Sequence, residues 1–412
     1  MISRRPHVLS DMGLNHSSPP KAFIRKTSTD MSSPFNFDPV TLSSAYDPLR
    51  QEVREFIKPY RDTWSGWKFA HTWGGIDKEF SKAVGAKGWI GMTWPKKYGG
   101  AERSQFERYV VVEELIAAGA PLSAHWVGDR QSGPLLMRYG REEIRQSLLP
   151  RIVSGELTFC IGLSEPGSGS DLASVRSRAE KVDGGYRLDG QKIWTSGAHV
   201  SDFMIGLFRS GTDKDAPKHA GLSQFLIDMR SSGISVRPIT DLTGENHFNE
   251  VHFDNVFVPD AHLIGEEGNA WQQVVSELAF ERSQPDRFLS CFVLLPMLID
   301  ELGTPDRLAK RRVGESVADL IVLREMSLSI LGQLEAGKVP AQEAALVKDL
   351  GNTYEQKQPA LVRELIDAAP DIRPSDTLSD ALGYLTQSVP SYSLRGGTRE
   401  ILRGIIAKGL GL

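Results

Sequence analysis

Little in this chain of 412 residues points to covalent or metal cross-linking, since it holds 2 cysteines, Cys160 and Cys291, far apart and in no C-x-x-C pair. That excludes a disulfide framework and the usual zinc arrangements, and it fits a reducing compartment, so a cytoplasmic protein is expected. No stretch reaches the ~18 uninterrupted apolar residues that a bilayer-spanning helix needs. Neither sign of charge dominates, with 48 Lys+Arg against 52 Asp+Glu and a net charge of -4. There is thus no global footprint for nucleic acid. Neither H-E-x-x-H nor G-x-S-x-G occurs, so zinc-dependent and serine hydrolysis lose their sequence support. What is present is an ordinary globular composition, 40% hydrophobic and 24% charged. Its length suits roughly two to four domains.

Residues 1–35 carry Arg4, Arg5, Lys21, Arg25 and Lys26 with many serines and no apolar period. A disordered extension or leader is expected there, without the apolar region of a secretory signal and with Met31 as the working start. Over 36–156 apolar residues recur at three and four, as in Tyr46, Leu49, Val53 and Ile57, which predicts an all-α domain interrupted near Gly99-Gly100. Across 157–265 short β-rich runs alternate with turn residues, and about six or seven strands are expected in a small barrel or sandwich. Asp183-Gly184-Gly185 and Asp189-Gly190 read there as hairpin turns. The helical period returns over 266–412, apart from a Pro/Asp-rich connection at 370–379. The expected class is α+β, ordered helices, sheet, helices.

The run Ser164-Glu165-Pro166-Gly167-Ser168-Gly169-Ser170-Asp171 follows a predicted strand, yet Leu172 occupies the third glycine position of G-x-G-x-x-G and no crossover helix follows. A dinucleotide fingerprint is therefore excluded. Two readings stay open on these residues: a surface turn, or a loop whose N–H groups and hydroxyls approach an anionic or heteroaromatic ligand. His247 and His252 flank Glu250, but five residues apart in a strand they face opposite sides, so no metal site is expected. Glu281 falls in the buried register of the helix that carries Trp271, Val274, Leu278, Phe288 and Phe292, and Pro285 should interrupt that helix just beyond it. On periodicity alone Glu281 is either an acid paired with a neighbouring arginine or a carboxylate at a cavity formed by the break.

Read together, these segments resemble the acyl-CoA dehydrogenase family from about residue 42 onward. Phe159-Cys160-Ile161-Gly162-Leu163-Ser164-Glu165-Pro166, continuing to Asp171, is similar to the family's first signature. Asp189-Gly190-Gln191-Lys192-Ile193-Trp194-Thr195-Ser196-Gly197 resembles its flavin-side strand. Asn249-Glu250-Val251-His252-Phe253-Asp254 resembles the strand closing the β domain, and Gly396-Gly397-Thr398-Arg399-Glu400-Ile401 the C-terminal signature.

The resemblance implies an N-terminal helical domain, a β domain and a C-terminal four-helix bundle, with FAD between the last two. It also implies an acyl-CoA substrate oxidised to the trans-2-enoyl-CoA: a carboxylate takes the α-proton while the β-hydrogen leaves as hydride to the flavin. Carried over by position, Leu163, Ser164, Gly169 and Ser170 would contact the flavin and its ribityl or phosphate groups. Trp194 would pack on the ring, Ser196 would hydrogen-bond near N5, and Thr398 and Glu400 would reach the ADP part. Gly396 stands where most members carry their base. A minority place it in an L-x-x-E-R context after the β domain, here Leu278-Ala279-Phe280-Glu281-Arg282. Glu281 is thus the expected base, with Arg282 and the Gly396 amide on the substrate.

Family homo-oligomers complete the FAD site across subunits with Arg-x-x-Phe and Gln-x-x-Gly-Gly segments, and neither is found between 305 and 387. Either other residues replace them or a related subunit supplies them, so a homo- or hetero-oligomer is expected. An electron-transfer flavoprotein would be the acceptor. The rival readings are an oxidase or monooxygenase using O2 on the same fold, and a partner subunit without a complete site.

Overall fold

The computed structural model describes residues 34–64, 66–211, 217–274, 282–366 and 377–412. Residues 1–33 with Met31, Glu281, and most of the 370–379 connection lie outside the described residues.

The N-terminal part is helical: α1 (Asp47–Arg61), α2 (Lys78–Ala86), α3 (Gln105–Ala117), α4 (Ser123–Val127), α5 (Gly133–Tyr139) and α6 (Glu142–Val153). Helix α3 starts where Ser104 and Glu107 cap each other reciprocally, which satisfies two backbone donors that the first turn leaves open. Val53 and Ile57 of α1 point inward onto a core with Phe80, Val84, Leu115 and Ile116. Between α4 and α5 the backbone widens into one π-helical turn, Gly128–Ser132. Such turns cluster at functional sites because they redirect side chains that a regular helix would keep in register. Here Asp129 and Arg130 both end up buried. Asp129 accepts from the Gly91 amide at 2.8 Å and from Arg108 at 2.7 Å.

Eight strands follow: β1 (Phe159–Gly162), β2 (Arg178–Val182), β3 (Gly185–Lys192), β4 (Phe203–Arg209), β5 (Leu222–Asp228), β6 (Ile234–Ile239), β7 (Phe248–Pro259) and β8 (Leu263–Ile264). They form one sheet in the order β6-β7-β3-β2-β4-β5-β8, with β1 parallel beside β4. Asp183-Gly184 does turn β2 into β3. Asp189-Gly190 does not make a hairpin: it lies inside β3, where Asp254 and Asn255 of β7 together oppose Asp189. That bulge, with Asn255 left-handed at φ 53° and its amide on Asp189 Oδ1 at 2.8 Å, shifts the register of β7 while the alternation of β3 runs on unbroken.

Helical structure resumes at 270–274. Beyond the undescribed segment 275–281 the chain is not a regular helix. It turns through a short 3-10 segment, Pro285–Arg287, before α7 (Leu294–Leu302), because Pro285 offers no N–H to continue the ladder. Helices α8 (Arg307–Glu335), α9 (Ala341–Ile366), α10 (Thr377–Ser388) and α11 (Arg399–Gly409) complete the chain. No described helix is long and apolar enough to cross a membrane.

Burial lowers His71, His125 and His247 to about 4 each. The folded protein therefore binds fewer protons than the unfolded chain below the usual histidine value of 6.5. Their contribution to stability is complete above pH 6.5 and declines as the pH falls towards 4. We expect the urea midpoint to drop between pH 7 and pH 5. His125→Gln, which keeps a partner for Ser81 Oγ (2.8 Å from His125 Nδ1) without a titrating ring, should make that drop shallower. An identical drop in the variant would remove His125 from this account.

Candidate functional site

The glycine-rich loop is held by an ion pair beneath it. Lys192 ends β3 on the inward face after Tyr186 and Leu188, fully buried, with Nζ 2.8 Å from Glu165 Oε1 and 3.4 Å from the Leu163 carbonyl. The same Glu165 carboxylate accepts from the Arg176 amide at 2.6 Å and the Ser177 amide at 2.9 Å. Burial pulls the Lys192 ammonium down to about 8 even with Glu165 beside it. The Ser164 carbonyl accepts from the Ile193 amide at 2.9 Å, so Leu163 and Ser164 are fixed against the residue that precedes Trp194.

Gly167 and Gly169 have neither a left-handed backbone nor any atom within 4 Å of where a Cβ would stand. The protein's own packing does not demand glycine at either place, so the backbone there is open both to a side chain and to a ligand. A pocket of about 440 Å³ lies beside Gly167, and Arg176, Arg178 and Asp189 form its other walls.

Trp194 is a large side chain in the left-handed region, φ 59°, and 57% exposed. A bulky residue adopts that region only where its surroundings enforce it. Two hydrogen bonds do so: the Thr195 amide donates to the Asn249 carbonyl and Asn249 Nδ2 to the Thr195 carbonyl, each at 3.0 Å. The Thr195 hydroxyl is buried and finds no hydrogen-bond partner among the described residues. Ser196 is half-buried in the same stretch.

At the other end of the chain Arg282 Nε donates to the Gly396 carbonyl at 3.4 Å, bringing together two of the expected site residues. Gly396 and Gly397 are both left-handed, at φ 66° and 103°. Thr398 caps α11, its Oγ1 accepting from the Ile401 amide at 3.4 Å, and Glu400 occupies the first turn. Among the described residues no hydrogen bond or ion pair joins Thr398 or Glu400 to the 164–171 loop.

Behind the break at Pro285 lies a charged interior that the sequence reading did not anticipate. Arg130 Nη1 stands 2.9 Å from Asp286 Oδ2, and Arg287 Nε 3.1 Å from the same oxygen. Arg395 Nη2 reaches Glu355 at 3.0 Å, Ser290 Oγ at 3.0 Å and the Asp286 carbonyl at 3.1 Å. Burial opposes the charge on both acids. Arg130, Arg287 and Arg395 nevertheless keep the Asp286 carboxyl below its usual range, whereas Glu355 is pushed up. Among the described residues no cluster could hold a metal ion, and His252 Nε2 lies 3.3 Å from Glu250.

A β domain thus lies between two helical stretches, with a glycine loop clamped to a strand that leads into an exposed tryptophan and a glycine pair ahead of the C-terminal helix. Residues 44–156 match the model of the acyl-CoA dehydrogenase N-terminal domain and residues 160–256 that of the middle domain. The chain belongs to the acyl-CoA dehydrogenase family, whose members are flavoprotein oxidoreductases. Acyl-CoA dehydrogenase IpdE1 of Mycobacterium tuberculosis is 31% identical over 80% of this chain and 86% of its own length. Acyl-CoA dehydrogenase FadE34 of the same organism is 32% identical over 80% of this chain, which spans 45% of that relative's length. Two solved structures superpose closely. One, described as the Tcur3481-Tcur3483 steroid ACAD, has a TM-score of 0.80 at 29% identity, covering 90% of this chain and 98% of that one. The other, the ChsE4-ChsE5 complex from Mycobacterium tuberculosis, has a TM-score of 0.79 at 26% identity with the same coverage.

Lys192→Met should strand Glu165 as a buried anion. Removing one partner of such a pair typically costs about 3–5 kcal/mol, to be read as a lower urea midpoint, and adding Glu165→Gln should recover part of it. A neutral single variant would mean that the pair does not hold the loop.

Proposed function

We propose that this chain catalyses α,β-dehydrogenation of an acyl-CoA thioester to the trans-2-enoyl-CoA, with FAD as cofactor and Glu281 as the base. The observation that carries the reading is the Arg282–Gly396 hydrogen bond. It ties the residue next to Glu281 to the position where most family members keep their carboxylate.

The residues present fit a flavin. Gly167 and Gly169 leave open space over the loop, the Trp194 indole is exposed in an enforced conformation, and the Thr195 hydroxyl is a buried donor with no partner among the described residues. Leu163, Ser164, Gly169 and Ser170 would hold the cofactor, with Trp194 and Ser196 beside its ring and Thr398 and Glu400 towards its ADP end. Bound FAD supplies the hydride acceptor.

The chain's own groups do the acid–base work. Glu281 accepts the α-proton. The Gly396 N–H donates to the thioester oxygen, where negative charge develops as that proton leaves. Arg282, by holding the Gly396 carbonyl, keeps the 396–397 peptide from swinging.

A related subunit completes the cofactor site. The missing Arg-x-x-Phe and Gln-x-x-Gly-Gly segments support this, as do the paired names of the two structural neighbours. Electrons then pass to an electron-transfer flavoprotein.

Glu281→Gln preserves shape and hydrogen bonding but not basicity, and a positioned base typically contributes about 10²–10⁴ in rate. Turnover should fall within that range while FAD and acyl-CoA still bind. Turnover like wild type would place the base elsewhere. Adding Gly396→Glu should restore little, because a side chain at φ 66° carries a left-handed penalty of about 1–2 kcal/mol.

A further inference from the structure

Helix α9 carries a buried lysine that the acid–base scheme above does not use. Lys348 has no contact with solvent, and its Nζ lies 3.4 Å from the Gly397 carbonyl. Burying an ammonium is costly unless its charge and its donors are spent on partners.

The same helix grips the rest of the C-terminal segment. Seven residues further on, and so on the same face as Lys348, Glu355 binds Arg395 Nη2 at 3.0 Å. Asp349, on the neighbouring flank, reaches Arg399 Nε at 2.7 Å and Arg403 Nε at 3.4 Å. Positions 395, 397, 399 and 403 are thus all tied to α9. Three of these four ties join side chains. The fourth, from Lys348, acts on the backbone, and it acts on the second glycine of the pair.

Gly396, the first glycine, is held from the opposite side. Arg282 Nε donates to its carbonyl at 3.4 Å, and Nη2 of the same guanidinium stands 3.6 Å from where a Cβ on Gly397 would be. A peptide unit is planar, so fixing a carbonyl fixes the plane that carries it. Arg282 therefore fixes the 396–397 plane and Lys348 the 397–398 plane. Ahead of both, the Arg395 side chain is anchored on Glu355, Ser290 and the Asp286 carbonyl. The 395–396 peptide, which carries the Gly396 N–H, lies between these anchors. Two adjacent glycines at φ 66° and 103° have no side chains of their own to hold them there. Buried donors on their successive carbonyls supply that restraint.

We infer that Lys348 is a positioning residue for the reaction. By holding the Gly397 carbonyl it keeps the paired glycines in the conformation that aims the Gly396 N–H at the thioester oxygen. The inference rests on the acyl-CoA reading above, in which that N–H meets the developing negative charge, and it adds a residue outside the segments assigned to flavin and thioester.

The test uses the purified flavin-loaded protein and two probes, acetyl-CoA and its thioether S-ethyl-CoA, with affinities measured by calorimetry. The probes differ only in the carbonyl oxygen, and acetyl-CoA has no β-carbon beyond its methyl group, so neither is dehydrogenated. The ratio of the two affinities reports the hydrogen bond to that oxygen, and it cancels any change that weakens binding of CoA as a whole. Wild type should prefer acetyl-CoA by about three- to tenfold. Lys348→Met should bring the two affinities to within about twofold of each other. Lys348→Gln, polar but one bond too short for the carbonyl, should do the same and stands in if the methionine variant unfolds. Asp349→Asn loosens the grip of α9 on Arg399 and Arg403 without touching either glycine, and should leave the wild-type ratio in place. A preference that survives substitution of Lys348, or one that Asp349→Asn removes as completely, would overturn the inference. Equal affinities in wild type, or binding of neither probe, would sink the acyl-CoA reading itself and the inference with it.

Discussion

Lys192 has no contact with solvent, and its charge survives only because Glu165 lies 2.8 Å away. Taking both charges out of water is costly, and their attraction offsets that cost only when the geometry is good and the remaining lone pairs are used. Glu165 uses them on two backbone amides, and the Lys192 ammonium adds the Leu163 carbonyl. One ion pair thus fixes three separate stretches: the end of β1, the glycine loop, and the segment leading into β2. The loop adds its own ties, with the Glu165 and Ser168 amides each donating to the other's carbonyl at 2.8 and 2.9 Å and Ser168 Oγ to the Asp171 carbonyl at 2.6 Å. These offset the freedom that the exposed glycines at 167 and 169 bring. Together these contacts give a glycine-rich sequence one conformation, and the ion pair sits at the end of the strand just before Trp194 enters the left-handed region.

The three-part order of helices, sheet and helices was legible because hydrophobic period changes near Leu157 and again near Trp271, and period depends on backbone geometry alone. Strand detail was less so. Asp189-Gly190 has the composition of a hairpin turn, yet the sheet uses it opposite a bulge in β7, a choice made by the partner strand and invisible in β3 itself. Lys192 left a readable trace: it continues the Tyr186, Leu188, Gly190 alternation and so falls on the apolar face. The Arg130–Asp286 contact left none, since it depends on the single π-helical turn at Gly128–Ser132, and one inserted residue in a helix has no distinct composition. His247 was weighed only as a metal ligand. Its actual environment of rings comes from Trp73, 174 positions earlier in the chain and on another domain.

The charged interior meets the N-terminal domain at Arg395. Its guanidinium bonds Glu355 and Ser290 through Nη2 and stands over the rings of Trp73 and Tyr392 at 4.9 and 4.1 Å. A planar, delocalised cation is suited to such a double role, because it forms in-plane hydrogen bonds while its faces stack on rings. The loop before α11 is thereby locked to α9 and to the N-terminal domain at once. Residues that follow Arg395 inherit that rigidity, and the first of them is Gly396.

Two consecutive left-handed glycines at 396 and 397 make this an expensive place for any side chain. Such a backbone suits the division of labour proposed above, in which Glu281 would supply the carboxylate and Gly396 only its N–H. The break at Pro285 serves the same division of labour. From Arg282 to Val293 the chain follows no regular helix, and there Arg282 reaches across to the Gly396 carbonyl at 3.4 Å while Asp286 and Arg287 enter the interior. Proline in one segment and paired glycines in the other are thus complementary backbone devices. Glycine at 396 forgoes a side chain and proline at 285 forgoes a continuous helix, and the proposal of Glu281 as the base rests on that glycine together with the L-x-x-E-R context.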